Sequence, residues 1–248
     1  MAGPLRVLVT GASGLIGRTI CPFLAAKGLV LRGFDRSPDG RLRESVWGKL
    51  EDFESVRGAA RGTDVIVHLA ACATDADFVS RLVPSNVIGL YHLLEAARLE
   101  GVSRLVFASS CQAADLHEGI ERVSVRARHP TDHYGLTKLW GEDMARMYSE
   151  RYGIPFLAAR LGWVLRDAHE LDEMQSTPHG TRLYLSYDDL REFMWRAVTA
   201  PLTGFQVVYA FSRQIDGEHF DMSPTRELLG FEPVHTFPEG IPKPLLRE

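Results

Sequence analysis

Tyr134 and Lys138 stand four residues apart in the stretch YGLTK, in a chain with only four lysines (Lys27, Lys49, Lys138 and Lys243). On a helix, positions i and i+4 share a face, with Cβ atoms about 5–6 Å apart. A phenol titrates near pH 10 in water and is a poor base at neutrality. An ammonium held beside it favours the phenolate. The pair therefore has the chemistry to take a proton from a hydroxyl, or to return one to a carbonyl oxygen, as a hydride leaves or joins the same carbon. Such a reaction needs a hydride carrier. Residues 7–17, VLVTGASGLIG, have the pattern that binds one. Gly11 allows a tight turn, Gly14 lets backbone approach a pyrophosphate, and Gly17 lets the following helix pack on the sheet. The helix start then offers unpaired N–H groups and a positive dipole end to phosphate. Asp35 lies about 20 residues on, where a carboxylate bonds the adenosine ribose hydroxyls and repels a 2′-phosphate. This favours NAD over NADP. Arg36 beside it keeps the phosphorylated cofactor open, because a guanidinium pairs with phosphate.

Alternating strands and helices have to position these groups. Strands are predicted at 6–10, 30–35, 64–69, 104–108, 156–161 and 205–210, and helices at 15–27, 52–61, 84–100, 132–152 and 187–200. A further helix at 223–230 starts with serine and proline and stops at glycine. Near-continuous apolar strands alternating with helices predict an α/β fold, a doubly wound parallel sheet covered on both faces. Residues 162–183 show little periodicity and are expected to form a long loop of the kind that closes over a site. Residues 1–161 are read as the dinucleotide-binding core. Residues 162–248 are read as a reduced substrate-binding part that completes the same domain.

The 248 residues suffice for one substantial core. A net charge of −4 speaks against a nucleic-acid or anionic-membrane partner, since both need a basic face. No apolar run approaches the roughly 20 residues that span a bilayer, and no secretory signal is evident. Cys21, Cys72 and Cys111 are far apart and odd in number, so reduced thiols in a cytoplasm are expected. The nine histidines show no paired ligand spacing, and no metal is expected.

TGASGLIG, Asp35, HLAA at 68–71, Asn86, FASS at 107–110 and YGLTK together resemble the extended branch of the short-chain dehydrogenase/reductase superfamily, along essentially the whole chain. The resemblance implies a Rossmann fold and a catalytic set. Ser110 would polarise the substrate oxygen, Tyr134 would be the acid/base, and Lys138 would tune Tyr134 and hold the nicotinamide ribose. Asn86 would support a water in the proton relay. Gly11, Gly14, Leu15, Ile16, Gly17, Asp35, Leu50, Leu69, Ala70, Ala71 and Leu161 would line the cofactor with Tyr134 and Lys138. Self-association through helices 84–100 and 132–152 is also implied. Within the family, the size of the chain and the stretches GLYHLLEAAR, ARMYSERYG and LSYDDL are similar to the uronate dehydrogenase group, which oxidises the anomeric hydroxyl of a free sugar acid to a lactone with NAD.

Several pocket positions depart from that group. Cys111 and Gln112 replace Asn-His after the serine, and Ala73, with Thr74 beside it, replaces a serine. Trp163 replaces a small polar residue. His179 aligns with the carboxylate-binding arginine, and Arg182 lies one turn beyond. Thr74, Cys111, Gln112, Trp163 and Arg182 are the candidate substrate contacts. A site built to bond a polyol loses affinity when its polar groups are replaced, so a bulkier or less acidic small sugar, sugar acid or related alcohol is expected. Lys49 stands where an aspartate would accept the adenine amino group. As an ammonium it cannot accept, which leaves Glu51 or Asp52 as substitutes. An NAD-retaining sugar epimerase and a catalytically silent dinucleotide-binding regulator are the alternatives to a dehydrogenase.

Overall fold

Seven short strands, most of them apolar runs, form one sheet in the computed structural model, which describes residues 3–37, 40–114, 122–214 and 216–245. The strands are β1 (Arg6–Thr10), β2 (Val30–Asp35), β3 (Glu44–Trp47), β4 (Val65–His68), β5 (Arg104–Ser110), β6 (Phe156–Leu161) and β7 (Phe205–Ala210). Their order is β3-β2-β1-β4-β5-β6-β7, and every neighbouring pair is parallel. The chain builds outward from β1 in one direction and then, from β4, in the other. Ligands of open α/β sheets bind in the crevice at such a switch point, beyond the carboxyl ends of the strands.

Alternation along the strands sorts the helices. Val7 and Val9 face one side, with Ile20 and Leu24 of α1 (Leu15–Ala26) and Leu190 and Phe193 of α6 (Tyr187–Thr199). Leu8, Ile66, Leu105 and Phe107 face the other. There they meet Val56 and Ala59 of α2 (Phe53–Ala60), Leu90 and Leu93 of α3 (Gly89–Leu99), and Ala145 and Tyr148 of α4 (His133–Tyr152). Both faces are thus covered by apolar side chains spaced for helices, which is the doubly wound arrangement expected from the sequence. Strand β7 joins this same sheet beside β6, in register from Phe156↔Phe205 to Leu161↔Ala210.

Three segments differ from expectation. The loop predicted at 162–183 contains α5 (Ala168–Ser176) and a 3-10 turn at Gly180–Leu183. Helix α5 has few apolar residues, of which Leu171 and Met174 are buried. Its order comes instead from its ends: Asp167 accepts from the Glu170 N–H at 2.9 Å, and the Glu170 carboxylate accepts from the Arg166 N–H at 2.7 Å. The helix predicted at 84–100 begins earlier, as a π-helical run Phe78–Ile88 capped by Asp77 and followed by α3. Pro84 inside that run brings no N–H of its own. The edge strand β3 was not anticipated. It is short and half exposed, and it shows no continuous apolar signal.

Candidate active site

The glycine turn leaves β1 and enters α1 as its residue types require. Gly11 sits at φ +72, and a side chain there would meet the Ala70 backbone N at 2.7 Å. A Cβ on Gly17 would lie 2.5 Å from the carbonyl oxygens of Gly11 and Ala12. Gly14 is the N-cap of α1 and makes no side-chain capping bond, and no acidic residue occupies the first turn. The helix therefore presents unsatisfied N–H groups with its positive end, as an anion site does. Leu15 and Ile16 pack half-buried against the core just inside that turn. Asp35 ends β2 and accepts from the Ser13 N–H of the turn at 3.0 Å and from the Ser37 N–H at 3.1 Å. Arg36 next to it is exposed.

At the end of β4, Ala70 N–H points to Thr10 Oγ1 at 3.3 Å, and Leu69 and Ala71 lie half-buried beside it. Leu161 is buried in register with Ser110. Leu50 is buried against Gly89 of α3, where a Cβ would come within 2.5 Å of Leu50 Cβ. Lys49 is exposed. Asp52, exposed, caps α2 with its carboxylate and bonds the Ser55 hydroxyl at 2.5 Å. Glu51 stays exposed.

Helix α4 carries the candidate acid/base pair. Its N-cap Asp132 accepts from the Gly135 N–H, and Gly153 in the left-handed region closes it. Tyr134 and Lys138 share its buried face, with Lys138 Nζ 5.6 Å from the Tyr134 ring centre. Ser110, at the end of β5, hydrogen-bonds to Tyr134. Three residues separated by up to 28 positions in sequence thus meet at one point.

The electrostatics differ from the simple expectation in one respect. Tyr134 lies above the ordinary phenol value, because burial outweighs the other influences, Cys111 adds to it, and only the Ser110 hydrogen bond opposes it. The Lys138 ammonium does not bond the phenol. It donates to the Ala108 carbonyl at 2.7 Å, and burial pulls it down to about 8. His68, buried behind this pair, is held neutral. Burial first, then the Lys138 charge, lowers it to about 3, and its Nδ1 lies 2.7 Å from Thr10 Oγ1.

Asn86 is buried with its amide fully engaged. Its Nδ2 donates to Cys72 O and Thr137 Oγ1, both at 3.0 Å, while Oδ1 accepts from Cys72 N–H at 2.8 Å and Ser85 Oγ at 2.9 Å. The side chain clamps the 72 turn to α4.

The candidate substrate contacts are spread more widely. Cys111 is buried directly after Ser110, and Gln112 donates to Asp132 at 2.9 Å. Trp163 bridges Tyr184 and packs against the small cluster of Leu165, Leu171 and Met174. Arg182 places Nη1 3.4 Å from His219 Nδ1. Ala73, Thr74 and His179 are exposed. Sequence reasoning missed a buried set around Glu142. This carboxylate accepts Arg160 Nε at 2.9 Å, Arg160 Nη2 at 2.8 Å and the Ser109 hydroxyl at 2.6 Å. The available signal was a single arginine in the otherwise apolar strand FLAARL.

A parallel sheet with a phosphate-binding turn at the switch point and a Ser, Tyr, Lys set beside it defines a dinucleotide-dependent oxidoreductase architecture. The chain belongs to the NAD dependent epimerase/dehydratase family, whose model matches residues 7–207. It is similar to uronate dehydrogenase of Pseudomonas putida, at 36% identity over 84% of this chain and 76% of that protein. It also resembles L-arabinose 1-dehydrogenase (NAD(P)(+)) of Haloferax volcanii, at 29% identity over 92% of this chain and 96% of that one. The crystal structure of a uronate dehydrogenase mutant from Agrobacterium tumefaciens, complexed with NAD, superposes with a TM-score of 0.82 at 32% identity, covering 94% of this chain and 86% of that one. The residues here fit the family's cofactor: a side chain on Gly11 or Gly17 would fill the cradle, the start of α1 is uncapped, and Asp35 borders the turn.

Proposed function

We propose that this enzyme oxidises a hydroxyl of a small sugar with NAD, and that the observation carrying this reading is the convergence of Ser110, Tyr134 and Lys138 at the switch point. The pyrophosphate is held by Gly11, Gly14 and Gly17 with the start of α1, and the adenosine ribose by Asp35. Leu15, Ile16, Leu50, Leu69, Ala70, Ala71 and Leu161 supply the apolar walls. When bound, NAD supplies the hydride acceptor and a positive nicotinamide ring. Tyr134 Oη takes the proton of the substrate hydroxyl, and Ser110 Oγ bonds the same oxygen as charge develops on it. Lys138 provides the nearby positive charge and bonds the nicotinamide ribose. Asn86 fixes the 72 turn against α4 and so keeps that wall of the site in place.

Cys111, Gln112, Trp163 and Thr74 form the substrate side, and the loss of polar groups at Cys111, Ala73 and Trp163 points to a substrate less acidic than a uronate. Arg182 already faces His219, which weakens it as a carboxylate anchor. The test compares NAD reduction by L-arabinose and by D-glucuronate, with NADP in parallel. We expect kcat/KM with NAD to be at least about tenfold higher for the neutral sugar; a preference for the uronate overturns this choice of substrate. The enzyme self-associates through α3 and α4, where Tyr91 and Leu99, and Trp140 and Met147, are exposed, as is Ile88 just before α3.

A further inference from the structure

Along the buried face of α4, Tyr134, Lys138 and Glu142 follow one another at steps of four residues, and each meets one of three successive residues of β5. Tyr134 meets Ser110, Lys138 meets the Ala108 carbonyl, and Glu142 meets the Ser109 hydroxyl. Glu142 is fully buried, and so is Arg160 of β6, whose guanidinium grips both carboxylate oxygens. The remaining Arg160 nitrogen donates to the Ala127 carbonyl at 2.9 Å and to Tyr209 Oη at 3.0 Å, and Tyr209 in turn reaches the Ser124 carbonyl. One carboxylate thus ties together the helix with the base, the strand with the serine, and the segment before α4. Such a pair contributes little to stability over apolar residues of the same shape, yet removing one partner leaves an unpaired buried charge. Its worth here is therefore geometric and electrostatic.

Building on the catalytic roles of Ser110, Tyr134 and Lys138 given above, we propose that Glu142 is a positioning residue: through Ser109 and Arg160 it fixes the spacing of Ser110 and Tyr134 around Lys138. Lys138 is surrounded by Tyr134 and Glu142 on α4, the Ala108 carbonyl and Phe107 ring on β5, His68 on β4, and Cys72 just beyond it. Burial lowers Lys138, and Cys72 and Glu142 work against that.

The four lysines make the test direct, because 13C-labelled lysine side chains give four signals, with Lys138 assigned from a Lys138→Met variant. In the full chain, Glu142→Gln is expected to lower the midpoint of the Lys138 titration by at least about half a pH unit. It is also expected to lower kcat at least about a hundredfold on whichever sugar is turned over, with the Kd for NAD within about threefold of wild type. Ser109→Ala removes a single hydrogen bond and keeps the ion pair, so it reports even if Glu142→Gln does not fold. It should show both changes at smaller size, with kcat down several-fold and KM unchanged. A folded variant of either kind with a wild-type Lys138 titration and wild-type kcat overturns the proposal. Turnover that survives Tyr134→Phe would instead contradict the catalytic reading, and the lysine titration, which needs no turnover, reads Glu142 separately.

Discussion

In the proposed mechanism Tyr134 has to ionise in a place where burial opposes ionisation, and its neighbours bear on how it would do so. Ser110 hydrogen-bonds to it, and the ammonium of Lys138 stays close by while anchored on Ala108. Because its phenol lies above the ordinary value, the base form is scarce at neutral pH, so sugar oxidation should accelerate from pH 6 toward pH 8. Above about 8 the charge of Lys138 is lost and the rise should end. Tyr134→Phe removes the base and should lower kcat by about 10²–10⁴-fold, measured as NADH absorbance at saturating sugar. His68 gives a second prediction. Its folded value of about 3 lies below that of an unfolded histidine, so between pH 6.5 and pH 3 the unfolded chain binds the extra proton. Stability should therefore fall as pH falls through that window, and urea midpoints for His68→Asn should decline less steeply. Parallel slopes would contradict the buried neutral assignment. At this scale the sequence shows Tyr134, Lys138, Ser110 and Asp35 through spacing and residue type. It hides Glu142 and Arg160, since a glutamate and an arginine 18 positions apart look like solvated charges until β6 and α4 bury both.

In the proposed function, cofactor affinity rests on the first turn of α1. A methyl on Gly17 would press on the Gly11 and Ala12 carbonyls, backbone atoms that cannot rotate away. Gly17→Ala should raise the Kd for NAD at least about tenfold, read by fluorescence titration, while the far-ultraviolet circular dichroism stays that of the wild type; an unchanged Kd would show that the turn does not hold the pyrophosphate. Elements with long apolar runs or regular spacing were legible from the residues alone, as in β1, β4, β6, α4 and α6. Helix α5 was not, because its order comes from Asp167 and Glu170 at its ends rather than from an apolar stripe. Strand β3 was hidden because only its register against β2 makes a four-residue edge segment a strand.

At the scale of the whole molecule, Ile88 just before α3, Tyr91 and Leu99 on α3, and Trp140 and Met147 on α4 stand exposed on the same side of the sheet. If the proposed self-association holds, replacing Tyr91 and Trp140 together by glutamate should convert the oligomer to a monomer in light scattering, with the sheet intact. A wild-type monomer would remove the role given to that face. The proposed substrate side, by contrast, was legible only residue by residue. The sequence identifies Trp163 and Arg182, but not that one packs on the α5 cluster and the other meets His219. The central claim is hydride transfer to NAD by this Ser, Tyr, Lys set. The most direct test records NADH formation by the wild type and by Tyr134→Phe, side by side, over L-arabinose, D-glucose, D-glucuronate and D-galacturonate. The account predicts that the wild type reduces NAD with at least one of these sugars, and that Tyr134→Phe binds NAD normally yet turns over at least about a hundred times more slowly. NADH formation by Tyr134→Phe at the wild-type rate, or none by the wild type with any of the sugars, would contradict it.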